Sequence, residues 1–298
     1  MMDSLRRGFG FLKQAYQMAV KDPDLIKPSI YSLILGAIVS FFGSIAAIGL
    51  VILPGSRNYL PWMFLILSPV IFFVEYAISY LFSGMTVRLV YDYLTQGDGR
   101  MDQAWAAVRR EFLNILTLAA ASTLVKLLEN LLGGGRRGRQ NLLGGILAGI
   151  LAIVWTTATF FVLPAMILED LNLAGALKRA TLMIKNNLLL VAVTEIGVSG
   201  VVDLIGGLVI VLAVALGGGI FYLAGTLTSW SLTGLIAGGG TAVLIAGFVI
   251  AVVTALSSYA KTAYHTCLFL WARQVEEARA RGAIDSSVAA PAPLAAVI

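Results

Sequence analysis

The stretch Val162 to Asn187, VLPAMILEDLNLAGALKRATLMIKNN, decides the fold. An apolar run stops at the acidic pair Glu169 and Asp170, and a short basic segment follows before the next apolar run begins. In that segment Leu173, Ala176, Leu177, Ala180, Met183 and Ile184 recur at helical spacing on one face, while Lys178, Arg179 and Lys185 lie mostly on the other. A helix of this kind, held between two stretches long enough to cross lipid, rests in the headgroup layer with its cations toward water.

The composition agrees. Of 298 residues, 59% are hydrophobic and only 12% charged, and the mean hydropathy of +0.89 is far above that of a water-soluble domain. The chain reads as an all-α polytopic membrane protein. Its net charge of +5 could point to nucleic acid, but the lysines and arginines flank apolar spans instead of forming a stripe, so anionic lipid is the expected partner. Arg6, Arg7, Lys13, Lys178, Arg179 and Lys185 are the candidate lipid contacts. The single Cys267 excludes an intrachain disulfide and a cysteine metal cluster, and no cofactor is expected.

Read in order, residues 1–28 form an amphipathic cytoplasmic leader in which Leu5, Phe9, Leu12, Tyr16 and Val20 recur at helical spacing, ending near Asp22 and Pro23. The first apolar span behind it is as long as a true membrane span, which argues against a cleaved signal peptide. The transmembrane domain, residues 29–260, then carries spans at about 29–53, 60–87, 112–132, 142–168, 188–215 and 241–260. A polar segment after the second span holds a second interfacial helix that Asp102 is placed to cap, with Trp105 in the aromatic belt. Between Leu204 and Ala260 there is no charge, and glycine triplets at 217–219 and 238–240 interrupt the run. Residues 216–240 therefore read either as an external or re-entrant segment or as a seventh span. With the N-terminus in the cytoplasm, six spans place 16 of the 21 lysines and arginines inside. Only Arg57, Arg136, Arg137 and Arg139 fall outside, with Lys126 inside a span, so six spans fit better than seven. A cytoplasmic helical extension at 261–282 and a disordered tail at 283–298 complete the chain. An amphipathic segment precedes each pair of spans, which suggests three repeats of one helix-hairpin unit; interfacial helices are also common ahead of membrane spans without any repetition.

Several segments carry a resemblance: 169–187 with its ALKRA core at 176–180, the opening GFGFLKQAY at 8–16, AWAAVRR at 104–110 and TAYHTCLFLWA at 262–272. Together they resemble an uncharacterised family of bacterial six-helix integral membrane proteins, distantly related to the membrane domains of glycerophosphodiester phosphodiesterases. The resemblance implies the six-helix fold and a bacterial inner membrane. It implies no activity, because the soluble catalytic domain of the phosphodiesterases has no counterpart here.

Three carboxylates inside spans, Glu75, Glu195 and Asp203, need an explanation, since a charge in the apolar layer costs a few kcal/mol. Glu195 and Asp203 lie about 12 Å apart along a helix and about 80° apart around it. They read as a proton or cation path, or as groups bonded to neighbouring helices, and no basic residue is expected at their depth. GVSG at 197–200 matches the serine string of intramembrane proteases, but His265, the sole histidine, is expected roughly 15 Å or more from Ser199, too far for a nucleophile and its base. Small-residue ridges at Gly144, Ala148, Ala152 and Thr156, and at Gly247, Ala251 and Ala255, suit close packing within the protein, against a second copy or against a membrane partner. Lacking a paired nucleophile, a metal cluster and a nucleotide motif, the sequence points first to a non-enzymatic scaffold or assembly partner in the bacterial envelope. A carrier or channel using Glu75, Glu195 and Asp203 is the alternative.

Overall fold

The computed structural model describes residues 2–52, 60–133, 142–186, 188–282 and 288–295. Every regular element among them is helical: α1 (Met2–Lys21), α2 (Lys27–Ile52), α3 (Leu60–Gln96), α4 (Met101–Arg110), α5 (Phe112–Gly133), α6 (Leu142–Glu169), α7 (Leu173–Asn186), α8 (Leu188–Leu227), α9 (Leu232–Ala280) and the single turn α10 (Ala292–Ala295). Among the described residues six helices, α2, α3, α5, α6, α8 and α9, are long and apolar enough to cross a membrane. The chain is an all-helical, multi-pass membrane protein. Helices meet the demand of lipid that each backbone polar group be satisfied within its own segment. Arg57 and the RRGR loop at 136–139 lie outside the described residues.

The long uncharged region resolves into one hairpin. Helix α8 runs through Gly217–Gly219 and α9 through Gly238–Gly240, so residues 216–240 are the tip of a hairpin, neither a re-entrant segment nor a seventh span. The glycines allow close approach: a Cβ on Gly238 would collide with that of Ala224, and one on Gly217 would press on Ala246 and the Ala242 carbonyl. At the tip the Ser231 hydroxyl accepts from the Gly234 amide at 3.2 Å and caps α9. Trp230 there stands edge-on to Phe221 and Tyr222, with ring centroids 6.3 and 6.1 Å away. From Leu204 to this turn α8 measures about 36 Å, slightly more than the hydrocarbon layer.

The buried core sits at the opposite end of the bundle. Phe11, Leu12 and Met18 of α1, Leu89 of α3, Val108 of α4, Met166 of α6, Met183 of α7, Val201 of α8 and Tyr264, Cys267 and Phe269 of α9 all belong to one cluster. Polar bonds tie the elements together around it. Tyr259 donates from its hydroxyl to the Ala15 carbonyl at 3.0 Å, and the Gly99 amide donates to the Asp22 carboxylate at 2.6 Å. Arg110 pairs with Asp170. Arg179 donates to Glu169 through Nε at 3.0 Å and to Glu276 through Nη1 at 2.6 Å, joining the end of α6 and α9 to α7. Desolvation would lower the Arg179 pKa, but the bonds to Glu169 and Glu276 outweigh it and raise the value, so the guanidinium stays charged. The distal halves of α2, α5, α6, α8 and α9 instead expose leucine, isoleucine, valine and phenylalanine, the surface that lipid covers.

Four expectations from sequence change. On α1 the buried face is Phe11, Leu12, Ala15, Met18 and Ala19, while Phe9 and Val20 are exposed, because the small alanines let α1 lie close against α8 and α9. Arg100, not Asp102, occupies the N-cap of α4, and Asp102 instead pairs with Arg100 at 3.0 Å in the first turn. Residues 261–280 are no separate extension; they continue α9 and fill the core. Nor is all of the tail beyond 283 disordered. Residues 288–295 dock, with Trp271 donating to the Val288 carbonyl and Leu294 wholly buried among α1, α9 and the core. This segment has no periodicity to read, and its buried residues are only Pro293 and Leu294. The ridge in α6 packs inward, Ala148 lying opposite Gly133 of α5, whereas Gly247 of α9 has open space beside it.

Leu294→Ala is expected to cost about 2–5 kcal/mol, the price of an emptied leucine site, read as a lower thermal-unfolding midpoint in detergent. Gly238→Val should split the α8–α9 contact and lower the midpoint as well, while Gly240→Ala, which faces open space, should leave it unchanged or raise it.

Candidate solute-binding cavity

A cavity of about 460 Å³ lies among α3, α5, α6 and α9 within the spans. Each helix contributes residues one helical face apart: Tyr76, Ser79, Tyr80 and Ser83 from α3; Ser122, Lys126 and Glu129 from α5; Trp155, Thr156, Thr159 and Phe160 from α6; Ser258, Lys261, Thr262 and His265 from α9. In a soluble helix the apolar stripe turns inward. Here the faces that line the cavity mix hydroxyl, charged and aromatic side chains with aliphatic ones such as Val87, Val125 and Leu163, so polar groups sit inward while lipid takes the exposed apolar faces.

The walls are organised by hydrogen bonds. The Ser122 hydroxyl accepts from Trp155 Nε1 at 3.0 Å and bonds the Tyr80 hydroxyl at 2.8 Å, drawing α3, α5 and α6 to one point. Lys126 and Glu129 pair at 3.1 Å, as their spacing of three predicts. His265 is buried and stacks on Phe160 with ring centroids 3.7 Å apart. Pro164, also on the wall, has no amide hydrogen to offer the Phe160 carbonyl, which leaves a backbone acceptor spare at the rim.

Two smaller cavities adjoin the first. One, of about 400 Å³, contains Glu75, whose Oε1 accepts from the Ser40 hydroxyl at 2.8 Å. The other, of about 360 Å³, contains Asp203, ion-paired with Lys261 at 2.5 Å. Ser258 lines all three cavities. Ser79 is shared by the first and second, and Lys261 by the first and third.

The structure thus separates the three acids singled out in the sequence. Glu75 and Asp203 occupy different cavities on either side of Ser258, and the Glu195 side chain lies outside the described residues. Asp203 has a basic partner after all: α9 continues past Ala260 as helix, which carries Lys261 onto the face that meets α8. Sequence reasoning missed Lys126, Glu129, Lys261 and His265 as cavity residues. The signal was present in the spacing of Ser258, Lys261, Thr262 and His265 at i, i+3, i+4 and i+7. Ser199 is not among the residues lining this cavity with His265. Of the candidate lipid contacts, Lys13, Lys178 and Lys185 are exposed, whereas Arg179 is turned into its ion pairs with Glu169 and Glu276. The side chains of Arg6 and Arg7 lie outside the described residues. Among the described residues no group of three or more histidine, cysteine and acidic side chains could hold a metal ion.

No family model matches the chain, and no curated protein matches it.

Charge carries over directly into a measurement. Lys261→Met should leave Asp203 without its partner and destabilise the fold, and Lys261→Met with Asp203→Leu should recover most of the loss, because the orphaned charge costs more than the pair gains. Thermal unfolding of the three proteins in one detergent measures the coupling.

Proposed function

We propose that this protein is a carrier that takes a small anionic solute into the cavity among α3, α5, α6 and α9. The observation that carries the reading is the pair of ammonium groups on that wall: Lys126, paired with Glu129, and Lys261, paired with Asp203 of the adjoining cavity, both face it. Each lysine ammonium has three donors and spends one on its partner, so two remain for a ligand. Aromatic rings of Tyr76, Tyr80 and Trp155 line the same cavity and offer flat surfaces to an organic body. A cavity with charged and hydroxyl groups on its wall, within membrane spans, favours binding over the role of assembly partner, which needs no such interior. The resemblance to bacterial six-helix membrane proteins is compatible with a carrier and supplies no competing chemistry.

The same reading places the protein in a bacterial inner membrane with both termini cytoplasmic. The distribution of lysine and arginine supports this, as does the exposure of Lys13, Lys178 and Lys185 near the core end, where anionic headgroups would meet them. Cys267 is wholly buried and cannot report topology. In a Cys267→Ala background, Val20→Cys and Leu227→Cys are exposed at opposite ends and should be labelled from opposite faces of the membrane by an impermeant thiol reagent, Leu227→Cys from outside. Labelling of both from one side contradicts the topology.

Binding is tested by thermal stabilisation of the purified protein with a panel of carboxylates and phosphate esters. At least one anion should stabilise it. Lys126→Gln and Lys261→Gln should each weaken that binding by roughly tenfold to a hundredfold, the worth of a charge-assisted hydrogen bond. Absence of any response across the panel, or responses unchanged in both variants, would favour the scaffold.

A further inference from the structure

We propose that the Glu75 cavity is a proton-binding site that works with the solute cavity, so that the carrier moves its anion together with a proton. The idea rests on the carrier reading for its purpose, but the site itself is defined by its own residues. Glu75 is half-buried in a cavity lined by six hydroxyls: Ser29, Ser32 and Ser40 of α2, Ser79 of α3, and Thr254 and Ser258 of α9. No lysine, arginine or histidine is among the residues that line it. Asp203 is neutralised by Lys261, and Glu129 by Lys126; Glu75 is supported by hydroxyls.

The charged groups around Glu75 can be named by element. From α2 the polar groups that face it are the Ser29, Ser32 and Ser40 hydroxyls, beside Leu33, Gly36 and Ala37, and from α9 they are Thr254 and Ser258, with Lys261 about one turn beyond and already paired to Asp203. On the far side of α3, Tyr76 stands between Glu75 and the Lys126–Glu129 pair of α5. An intramembrane carboxylate with hydroxyl neighbours has partners in both of its states. Hydroxyls donate to the carboxylate and accept from the carboxylic acid, so a proton can come and go without leaving a group unbonded. The Ser40 hydroxyl donates its hydrogen to Glu75 Oε1.

The link to the solute cavity is physical. Ser79 and Ser258 line both spaces, so two hydroxyls stand at the boundary between the Glu75 cavity and the solute cavity. The step balances simply. A proton from water binds a Glu75 oxygen to give the neutral acid and later returns to water, and no electrons move. A univalent anion accompanied by that proton crosses with no net charge, which removes the cost of moving it against the membrane potential.

Infrared difference spectroscopy on the full chain in phosphatidylcholine and phosphatidylglycerol vesicles tests this without knowledge of the solute. A protonated-carboxyl stretch should grow as pH falls, lose one component in Glu75→Gln, show that component shifted in Glu75→Asp, and be the same in sodium as in potassium buffer. Monodisperse elution of Glu75→Gln and Glu75→Asp establishes that they are folded. A pH-difference spectrum unchanged in folded Glu75→Gln, no titrating band at all, or a Glu75 component abolished by sodium at constant pH would each overturn the proton site. Failure of the carrier reading shows separately, as an absent response to the anion panel while the Glu75 band persists.

Discussion

Lipid gives helices no hydrophobic reason to associate, and the rest of this structure follows from that constraint. The hydrophobic effect acts only where water reaches, and there the molecule concentrates its core. Helices α1, α4 and α7 close around the ends of α3, α6, α8 and α9, and Arg179 grips Glu169 and Glu276 across three of these elements. In the opposite half the helices hold together through close backbone approach, as at Gly238 against Ala224 and Gly217 against Ala246. One end is bonded and packed, and the other is a set of slender hairpins in lipid.

This division gives the cavity its place. Between the packed collar and the lipid-facing half, α3, α5, α6 and α9 present polar stripes to one another, and the space among them is held open by aromatic side chains and by bonds such as Tyr80 and Trp155 to Ser122. Paired lysines keep the charges affordable in a region of low dielectric while leaving donors free. Ser258 stands where the three cavities meet, with the pair of Lys261 and Asp203 to one side and Glu75 to the other.

Much of the architecture was legible in the sequence, because long apolar runs and amphipathic interludes have strong periods. The apolar face of α7, with Ala176, Ala180 and Met183 buried, was read correctly from its spacing. The glycine triplets misled, since glycine breaks helices in water but lets them touch in membranes. The α1 face was misassigned because two apolar stripes compete on it, and tertiary contact with α8 and α9 chose the one with alanines. The site was legible only in fragments. Glu75 and Asp203 stand out as single charges, whereas a cavity is a relation among four helices, and no one-dimensional pattern states which stripes will face each other. The docked tail was invisible, since it is held by a few contacts, at Val288, Pro293 and Leu294, that form no periodic pattern.

Water within the spans is the condition on which the cavity's role depends, and cysteine accessibility in native membranes tests it. In a Cys267→Ala background, Ser83→Cys and Thr156→Cys line the cavity, while Ile153→Cys lies on the exposed apolar surface of the same α6. A small hydrophilic thiol reagent should modify the first two readily and Ile153→Cys very slowly. Equal protection of all three would contradict a hydrated cavity and return the protein to a packed, purely structural bundle.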